Sequence, residues 1–413
     1  MTTLDMKNEA NYAPQVVRVH SLVELPGLDN LRAFPVGGYQ ALVSKDTLPG
    51  TLMVVFPAEC QLSGVWAARL NLHRHSELND DPSVAGYLED SRRVKAIKLR
   101  GHNSNALAIN ASAFGLDDSH EGAIFDHIDG VEVSRKYLVK VPQTNNAAKS
   151  QQEKAWKRVD TKFLPEHIDT ENYWRNKHLI PQDAHVTVTQ KVHGTSIRLA
   201  NTIVQRRLTW LERLAVRLGV KVATTEYDYV FGSRKVIKDP NNPNQDHYYD
   251  YDLWSQEGAK YQHLIPKNVI LYGELIGWTG ANSPIQSNYT YNVPNGEAHL
   301  YIYRVAIVTE DGGLYDLSWE GVKAFCASRG LNVVPELWDG PHYMFIPENW
   351  IDVAFYPEYP HAVPLSDKKS VDEGVVIRVE GVIPFVTKAK SPIFLGHESS
   401  LLDKETVDIE STG

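Results

Sequence analysis

The sequence predicts an α+β chain of two domains: a small N-terminal β-barrel, then a larger domain of strands flanked by helices. Three observations carry this. At 413 residues the chain exceeds the roughly 250–300 residues at which a single core stops growing. Its first third breaks into short strand-like runs punctuated by Pro and Gly, among them Val16–Val19, Tyr39–Val43 and Thr51–Phe56, the pattern of a small barrel. Between Gln143 and Asp160 the composition shifts to Asn, Gln, Lys and Ala, which cannot pack a core and reads as a linker or exposed helix. The expected division is 1–145, a linker at 146–165, and 166–413.

Within the first domain, Arg92-Arg93-Val94-Lys95-Ala96-Ile97-Lys98-Leu99-Arg100 alternates cationic and apolar positions over most of its length. As a strand it would bury one face and turn a strongly positive one outward, as an OB-type barrel does when it grips phosphates. A charged edge that deters aggregation is the competing reading. In the second domain, Leu208, Leu211, Leu214 and Leu218 recur at helical spacing among Arg206, Arg207, Arg213 and Arg217. This predicts an amphipathic helix packed on its sheet, with RNA contact and a membrane-surface role as alternatives.

Bulk composition excludes several classes. A net charge of -9 argues against a protein that coats nucleic acid by overall charge, so any such site must be concentrated in a local basic groove. Two cysteines, Cys60 and Cys326, rule out a disulfide framework and a four-cysteine zinc site. His73 and His75 lack partners for a metal. No run approaches the ~18 apolar residues of a membrane span, and Met1-Thr2-Thr3-Leu4-Asp5 opens no signal peptide. A soluble, cytoplasmic monomer without a membrane partner is expected.

The chemistry gathers on four pieces. Val186-Thr187-Val188-Thr189-Gln190 alternates as a half-buried strand and presents Lys191 at its end, followed by Val192-His193-Gly194-Thr195-Ser196, a flexible turn rich in donors. Leu271–Gly277 carries Glu274, Glu373-Gly374 opens a strand ending at Arg378, and Phe385–Lys390 carries Lys388 and Lys390. The last two, two residues apart on a strand, point to one face. A lysine with an ordinary pKa of about 10.4 attacks only when neutral, and neighbouring positive charge would favour that form.

In this order the four pieces resemble the covalent nucleotidyltransferases, and most of all the ATP-dependent RNA ligases, whose nucleophile motif takes the Lys-x-His-Gly-Thr form seen at Lys191. The resemblance implies a nucleotidyltransferase domain of antiparallel sheets flanked by helices. It also implies ATP and Mg²⁺ or Mn²⁺ as cofactors, and RNA with 3′-hydroxyl and 5′-phosphate ends as substrate. Lys191 would take AMP from ATP as a phosphoramidate, pass it to an RNA 5′-phosphate, and a 3′-hydroxyl would then displace it. Lys388 and Lys390 would serve the reacting phosphates.

Carried over in the same way, Glu274 would hold the nucleotide sugar or a metal-bound water, and Glu373 the metal's hydration shell. Gln190, Val192 and Gly194 would border the nucleotide. Arg198 and Arg234 would engage phosphate or the terminal nucleotide. Tyr301 or Tyr303 would stack on adenine, with Tyr301 preferred, and Arg378 is open between a phosphate contact and an ion pair. Two positions depart from the pattern: Gln190 stands where Glu is frequent, and Arg304 follows Tyr303 where Asp is usual. The chain ends soon after Lys390, so the arrangement resembles amoebal-type ligases with the OB domain first. Rival readings are a capping-type guanylyltransferase, a DNA ligase, and a non-catalytic RNA-binding relative.

Overall fold

The computed structural model describes residues 2–138, 158–168, 170–239, 249, 251–351, 362–365 and 370–403, and it is a mixed α+β protein. The N-terminal region contributes six strands to one sheet. They are β1 (Gln15–Arg18), β2 (Val23–Glu24), β3 (Leu31–Val36), β4 (Tyr39–Ser44), β5 (Leu52–Pro57) and β6 (Ala106–Asn110), in the order β1-β5-β6-β4-β3-β2. All neighbours are antiparallel except β6 with β4. Val16, Val54 and Phe56 point from this sheet into a core completed by Trp66, Phe114 and Phe125.

The expected closed barrel is not formed by strand pairing: among the described residues the hydrogen-bonded path ends at β1 and β2. These two are consecutive in the chain, separated by Val19–Leu22, and they lie at opposite ends of the path rather than beside each other. The expected strand over Arg92–Gly101 also shrinks, to Ile97–Leu99 paired with His102–Ser104. Arg93 is buried, with its guanidinium directed at the C-terminal helix described below.

Two sheets build the C-terminal region. The first runs from the short strand Glu171–Asn172 through β14 (Phe385–Lys390), β13 (Gly374–Val379) and β7 (His185–Lys191) to β12 (Glu336–Pro341). The second is centred on β9 (Thr225–Gly232), β8 (Thr195–Gln205), β10 (Val269–Gly280) and β11 (Ala298–Val308), in that order. Val186, Val188, Val375 and Ile377 bury one face of the first sheet. On the second, Ile197, Leu199, Leu271 and Leu275 pack with Trp254 and Trp319, while Ala200, Ile270 and Ala306 face Val159 and Leu164 on the other side. Of the expected linker, 146–157 lies outside the described residues, whereas Val159, Phe163 and Leu164 are core.

The amphipathic helix forms as α1 (Trp210–Arg217), started by a capping box in which Thr209 and Glu212 satisfy each other's backbone N–H groups. It does not pack as expected. Trp210 is 71% exposed, Leu211 59% and Leu218 75%. It sits on the connection between β8 and β9, beyond the edge of its sheet's core. Among the described residues no helix is long and apolar enough to cross a membrane.

Candidate active site

The two C-terminal sheets face each other across a cavity of about 280 Å³, close to the lower end of small-ligand sites. Thr189, Gln190, Lys191, Val376 and Lys388 come to it from the first sheet, and Ser196, Glu274, Tyr303 and Arg304 from the second. Lys191 and Ser196 stand on either side of the tight connection from β7 to β8. Gly194 makes that connection possible: a Cβ there would meet the Leu275 carbonyl oxygen at 2.1 Å. Its N–H instead donates to Glu274 Oε1 at 3.1 Å, and Ser196 Oγ donates to Glu274 Oε2 at 3.1 Å.

Behind Lys191, outside the residues that line the cavity, lies Glu373, with no solvent exposure. Lys191 Nζ is 2.7 Å and Lys390 Nζ 3.4 Å from its Oε1, and His193 Nδ1 is 3.3 Å from Oε2. Burial alone would raise the pKa of this carboxyl. Lys191, Lys390 and His193 outweigh burial and hold it well below the usual carboxylate range. Gly374 supplies the close approach, with φ at 144° and a would-be Cβ 2.1 Å from the Ala389 oxygen of β14. The register Lys191↔Gly374↔Lys390 then sets both lysines on either side of one carboxylate.

Gln190 borders the cavity with its side-chain amide already engaged. Its amide donates to Val363 O at 3.0 Å and Asp372 Oδ1 at 2.8 Å, and its oxygen accepts from Val363 N at 2.8 Å. Asp372 beside it is pushed up to about 7 by burial. A glutamate at position 190 would face that carboxyl directly, so the departure from the usual Glu has a local reason: an amide can donate to Asp372 where a carboxylate cannot.

Arg198 is not brought to the cavity. It is 1% exposed and donates to Ser233 O at 2.7 Å and Leu164 O at 2.8 Å, which ties the edge of β8 to the chain entering this region. Arg234 does line the cavity, and also a smaller one described below. Arg378 pairs with Glu380 at 2.7 Å and donates to Leu317 O at 2.7 Å, and it also lines the cavity, so the ion pair and the phosphate contact both stand.

Tyr303, rather than the preferred Tyr301, reaches the cavity wall. A β-bulge causes this. Glu274 pairs with Tyr301, Gly273 with Ile302 and Tyr272 with Arg304, so Tyr303 is the extra residue. Arg304, the second departure, pairs with Asp316 at 2.5 Å and lies 4.4 Å from the Tyr272 ring centroid.

Several site residues escaped the sequence reading. His193 was visible within its motif, but its contact with Glu373 and its edge-on packing against Tyr289 and Phe394, with centroids 4.7 and 5.1 Å away, were not. His167, whose Nδ1 meets the Tyr303 hydroxyl, gave no signal. Val192 is buried at the cavity.

No group of three or more metal-ligating side chains exists among the described residues. Of the two expected metal carboxylates, Glu274 lines the cavity, where a carboxylate suits a hydrated hard cation held mainly by phosphates and water, whereas Glu373 is fully buried behind Lys191, Lys390 and His193.

The RNA ligase family pattern matches residues 184–393, so the chain belongs to the RNA ligase family. No curated protein matches the sequence. Among solved structures, the fold is similar to a Naegleria gruberi RNA ligase lysine-to-alanine mutant with ATP and Mn, at 14% identity and TM-score 0.57, covering 96% of this chain and 99% of that one. It is also similar to the same ligase with PPi, at 15% identity and TM-score 0.57 over 94% of this chain and 99% of that one. A lysine-to-methionine mutant of that ligase with AMP and Mn matches at 15% identity and TM-score 0.57, over 94% and 98% of the two chains.

Proposed function

We propose that the protein is an ATP-dependent RNA ligase that seals 3′-hydroxyl to 5′-phosphate RNA ends, with Lys191 as nucleophile. The observation that carries this is the placement of Lys191 Nζ at the cavity, 2.7 Å from buried Glu373, with Lys388 in the same wall and Lys390 on the same carboxylate. In the first step Lys191 Nζ gives its proton to water, against the pull of the Glu373 carboxylate that favours the ammonium, and bonds to the α-phosphorus of ATP. The bond from that phosphorus to the bridging oxygen breaks, and pyrophosphate leaves. The RNA 5′-phosphate then displaces Lys191 from AMP, and a 3′-hydroxyl displaces AMP from the RNA end.

Each side chain has a task in that scheme. Glu373 aims Lys191 before attack, and Lys388, Lys390 and Arg234 supply fixed positive charge where the phosphates gather charge. Tyr303 offers its ring to adenine, with Val192 and Gly194 bordering the nucleotide, while Tyr301 packs the strand beyond it. Glu274 is the carboxylate that would hold Mg²⁺ or Mn²⁺ through water. When bound, the cation would neutralise triphosphate charge. Both ATP and Mn accompany the Naegleria gruberi ligase in its solved complexes, which supports assigning them here.

The N-terminal region is read as a divergent OB-type domain, 1–145, ahead of an adenylyltransferase domain, 166–413. Supporting this is the strand order: two strands that are consecutive in sequence, β1 and β2, terminate the path, and the parallel β4–β6 pair sits between two antiparallel sets.

Intact-mass spectrometry after incubation with ATP and Mg²⁺ or Mn²⁺ tests the reading. One AMP increment is expected on the wild-type protein and none on Lys191→Ala. Matched nicked RNA and DNA duplexes with ATP or GTP then separate RNA ligation from DNA ligation and from guanylyl transfer. An unlabelled wild-type protein, or equal labelling of the variant, overturns the assignment.

A further inference from the structure

We infer that Glu398 is a positioning residue for Lys390, and that the C-terminal helix carrying it transmits the placement of the N-terminal region to the active site. This rests on the adenylylation reading above and deepens it. The helix, α2 (Pro392–Asp403), follows β14 directly.

Lys390 forms ion pairs with two carboxylates among the described residues, and the nearer is Glu398. Its Nζ lies 2.9 Å from Glu398 Oε1 and 3.4 Å from Glu373 Oε1. Side-chain exposures of 19% for Lys390 and 13% for Glu398 remove most of the screening that makes surface pairs weak. Glu373 Oε1 is also the atom that Lys191 contacts at 2.7 Å. Glu398 therefore draws Lys390 off the oxygen that the nucleophile uses. Without it, two ammonium groups would compete for one oxygen, and Lys191 would lose its alignment.

The same helix is fastened to the N-terminal region by its next face. Phe394 and Glu398, one turn apart, look toward His193 and Lys390. Ser399 and Asp403, also one turn apart, look the other way. Ser399 Oγ accepts from Ala96 N at 2.9 Å and donates to the Glu59 carboxylate, and Ser399 O accepts from Arg93 at 3.1 Å. Asp403 Oδ1 contacts Arg93 at 2.5 Å and Lys95 at 2.8 Å. Glu398 and Ser399 are adjacent, so any shift of the Arg93–Ser399 anchor moves Glu398 by a comparable amount. Lys390 and Glu398 also border a cavity of about 210 Å³ whose opposite wall, Tyr12 and Lys136, belongs to the N-terminal region.

The test compares Glu398→Gln, which keeps length and an acceptor, with Glu398→Ala and with the remote variant Asp403→Asn. Single-turnover AMP transfer is followed against ATP concentration and pH. In a second readout, independent of turnover, the acylation of Lys390 by an amine-reactive reagent is followed by peptide mass spectrometry. Expected for Glu398→Ala is a loss in maximal rate of about 10- to 100-fold, the scale of an ångström-level misplacement. Apparent ATP affinity should change less than the rate, Glu398→Gln should recover part of the loss, and Asp403→Asn should show a smaller loss of the same kind. Lys390 should acylate faster in both Glu398 variants.

Wild-type rates and wild-type Lys390 reactivity in folded Glu398→Ala overturn the inference. So does a fall in melting temperature with an unchanged rate per folded molecule, which marks a structural role alone. If the wild-type protein takes no AMP, the adenylylation reading falls, and Lys390 acylation still decides whether Glu398 holds that amine.

Discussion

The site around Lys191 and the segment Arg92–Arg100 both gather cations, yet the fold uses them in opposite ways. Around Lys191, cations from two strands converge on one fully buried carboxylate at the edge of a cavity. Along the N-terminal segment, Arg93 and Lys95 are drawn to Glu59, Glu89 and Asp403 and fasten a helix. Arg92–Arg100 carries five Lys or Arg in nine residues, whereas the site gathers Lys191, Lys388 and Lys390 from two distant segments. What separates them is where the acids lie: Glu373 and Glu398 hold Lys191 and Lys390 beside open space, whereas Arg93 and Lys95 meet acids that fasten the C-terminal helix. A run of alternating cations therefore indicates a phosphate site only when its counter-charges leave it facing a cavity.

Removing Glu373 is the strongest way to break this comparison. Glu373→Ala leaves Lys191, Lys390 and His193 around a vacated, desolvated point. Deleting one partner of a buried ion pair costs about 3–5 kcal/mol, so urea unfolding should reveal a loss of that order together with loss of AMP labelling. Glu373→Gln, which preserves shape, should recover stability more than labelling. If Glu373→Ala were as stable as wild type, the convergence of lysines on this carboxylate would be wrong.

Glu59 sharpens the other side. It is buried against Arg93 and Ser399, and burial pushes its carboxyl up to about 7 from 4.5. The native state thus holds a proton that the unfolded chain has released, so stability falls as pH rises from about 4.5 to about 7 and stays reduced above that. A shift of this size corresponds to about 3 kcal/mol at 1.36 kcal/mol per unit, an upper bound for one site. Glu59→Gln should be more stable than wild type at pH 8, with the gap closing near pH 4.5, as read by denaturant midpoints across that window. A gap that widens toward low pH would reverse the sign and discard the argument.

Much of the active site was legible because its determinants are local. Lys191 ends a strand of alternating Val and Thr, which the fold buries on both faces from Val186 to Gln190, and Lys388 and Lys390 share a face by spacing alone. Glu373-Gly374 is a short signature for a buried carboxylate against a close strand. What stayed hidden depends on register or on distant chain. The bulge at Tyr303 moved the cavity ring from Tyr301, because one inserted residue alters how the rest of β11 aligns with β10. Arg198 looked like a phosphate ligand, but its partners are backbone carbonyls from elsewhere, Ser233 and Leu164. The barrel-like N-terminal strands were read from turn residues, and their open pairing at β1 and β2 follows from three-dimensional bending that no local pattern encodes.

The smallest expected effect concerns α1, where the sequence signal was strong and the outcome differed. Helical spacing of leucines predicts burial only if a partner surface exists, and Leu214 at 45% and Leu218 at 75% exposure have little to lose. Leu218→Ser should change unfolding free energy by no more than about 0.5 kcal/mol, the usual range for surface sites. Truncating a leucine packed on the sheet would instead cost about 2–5 kcal/mol. A chemical-denaturation measurement distinguishes these easily. The contrast also separates two sources of helix stability: α1 is held by its Thr209–Glu212 capping box and by Arg206, which bridges Glu212 at 2.6 Å and Ala223 O at 3.0 Å. Thr209→Ala should therefore destabilise α1 more than Leu218→Ser, by about 1 kcal/mol, and the reverse order would return the helix to the packed arrangement its leucines suggest.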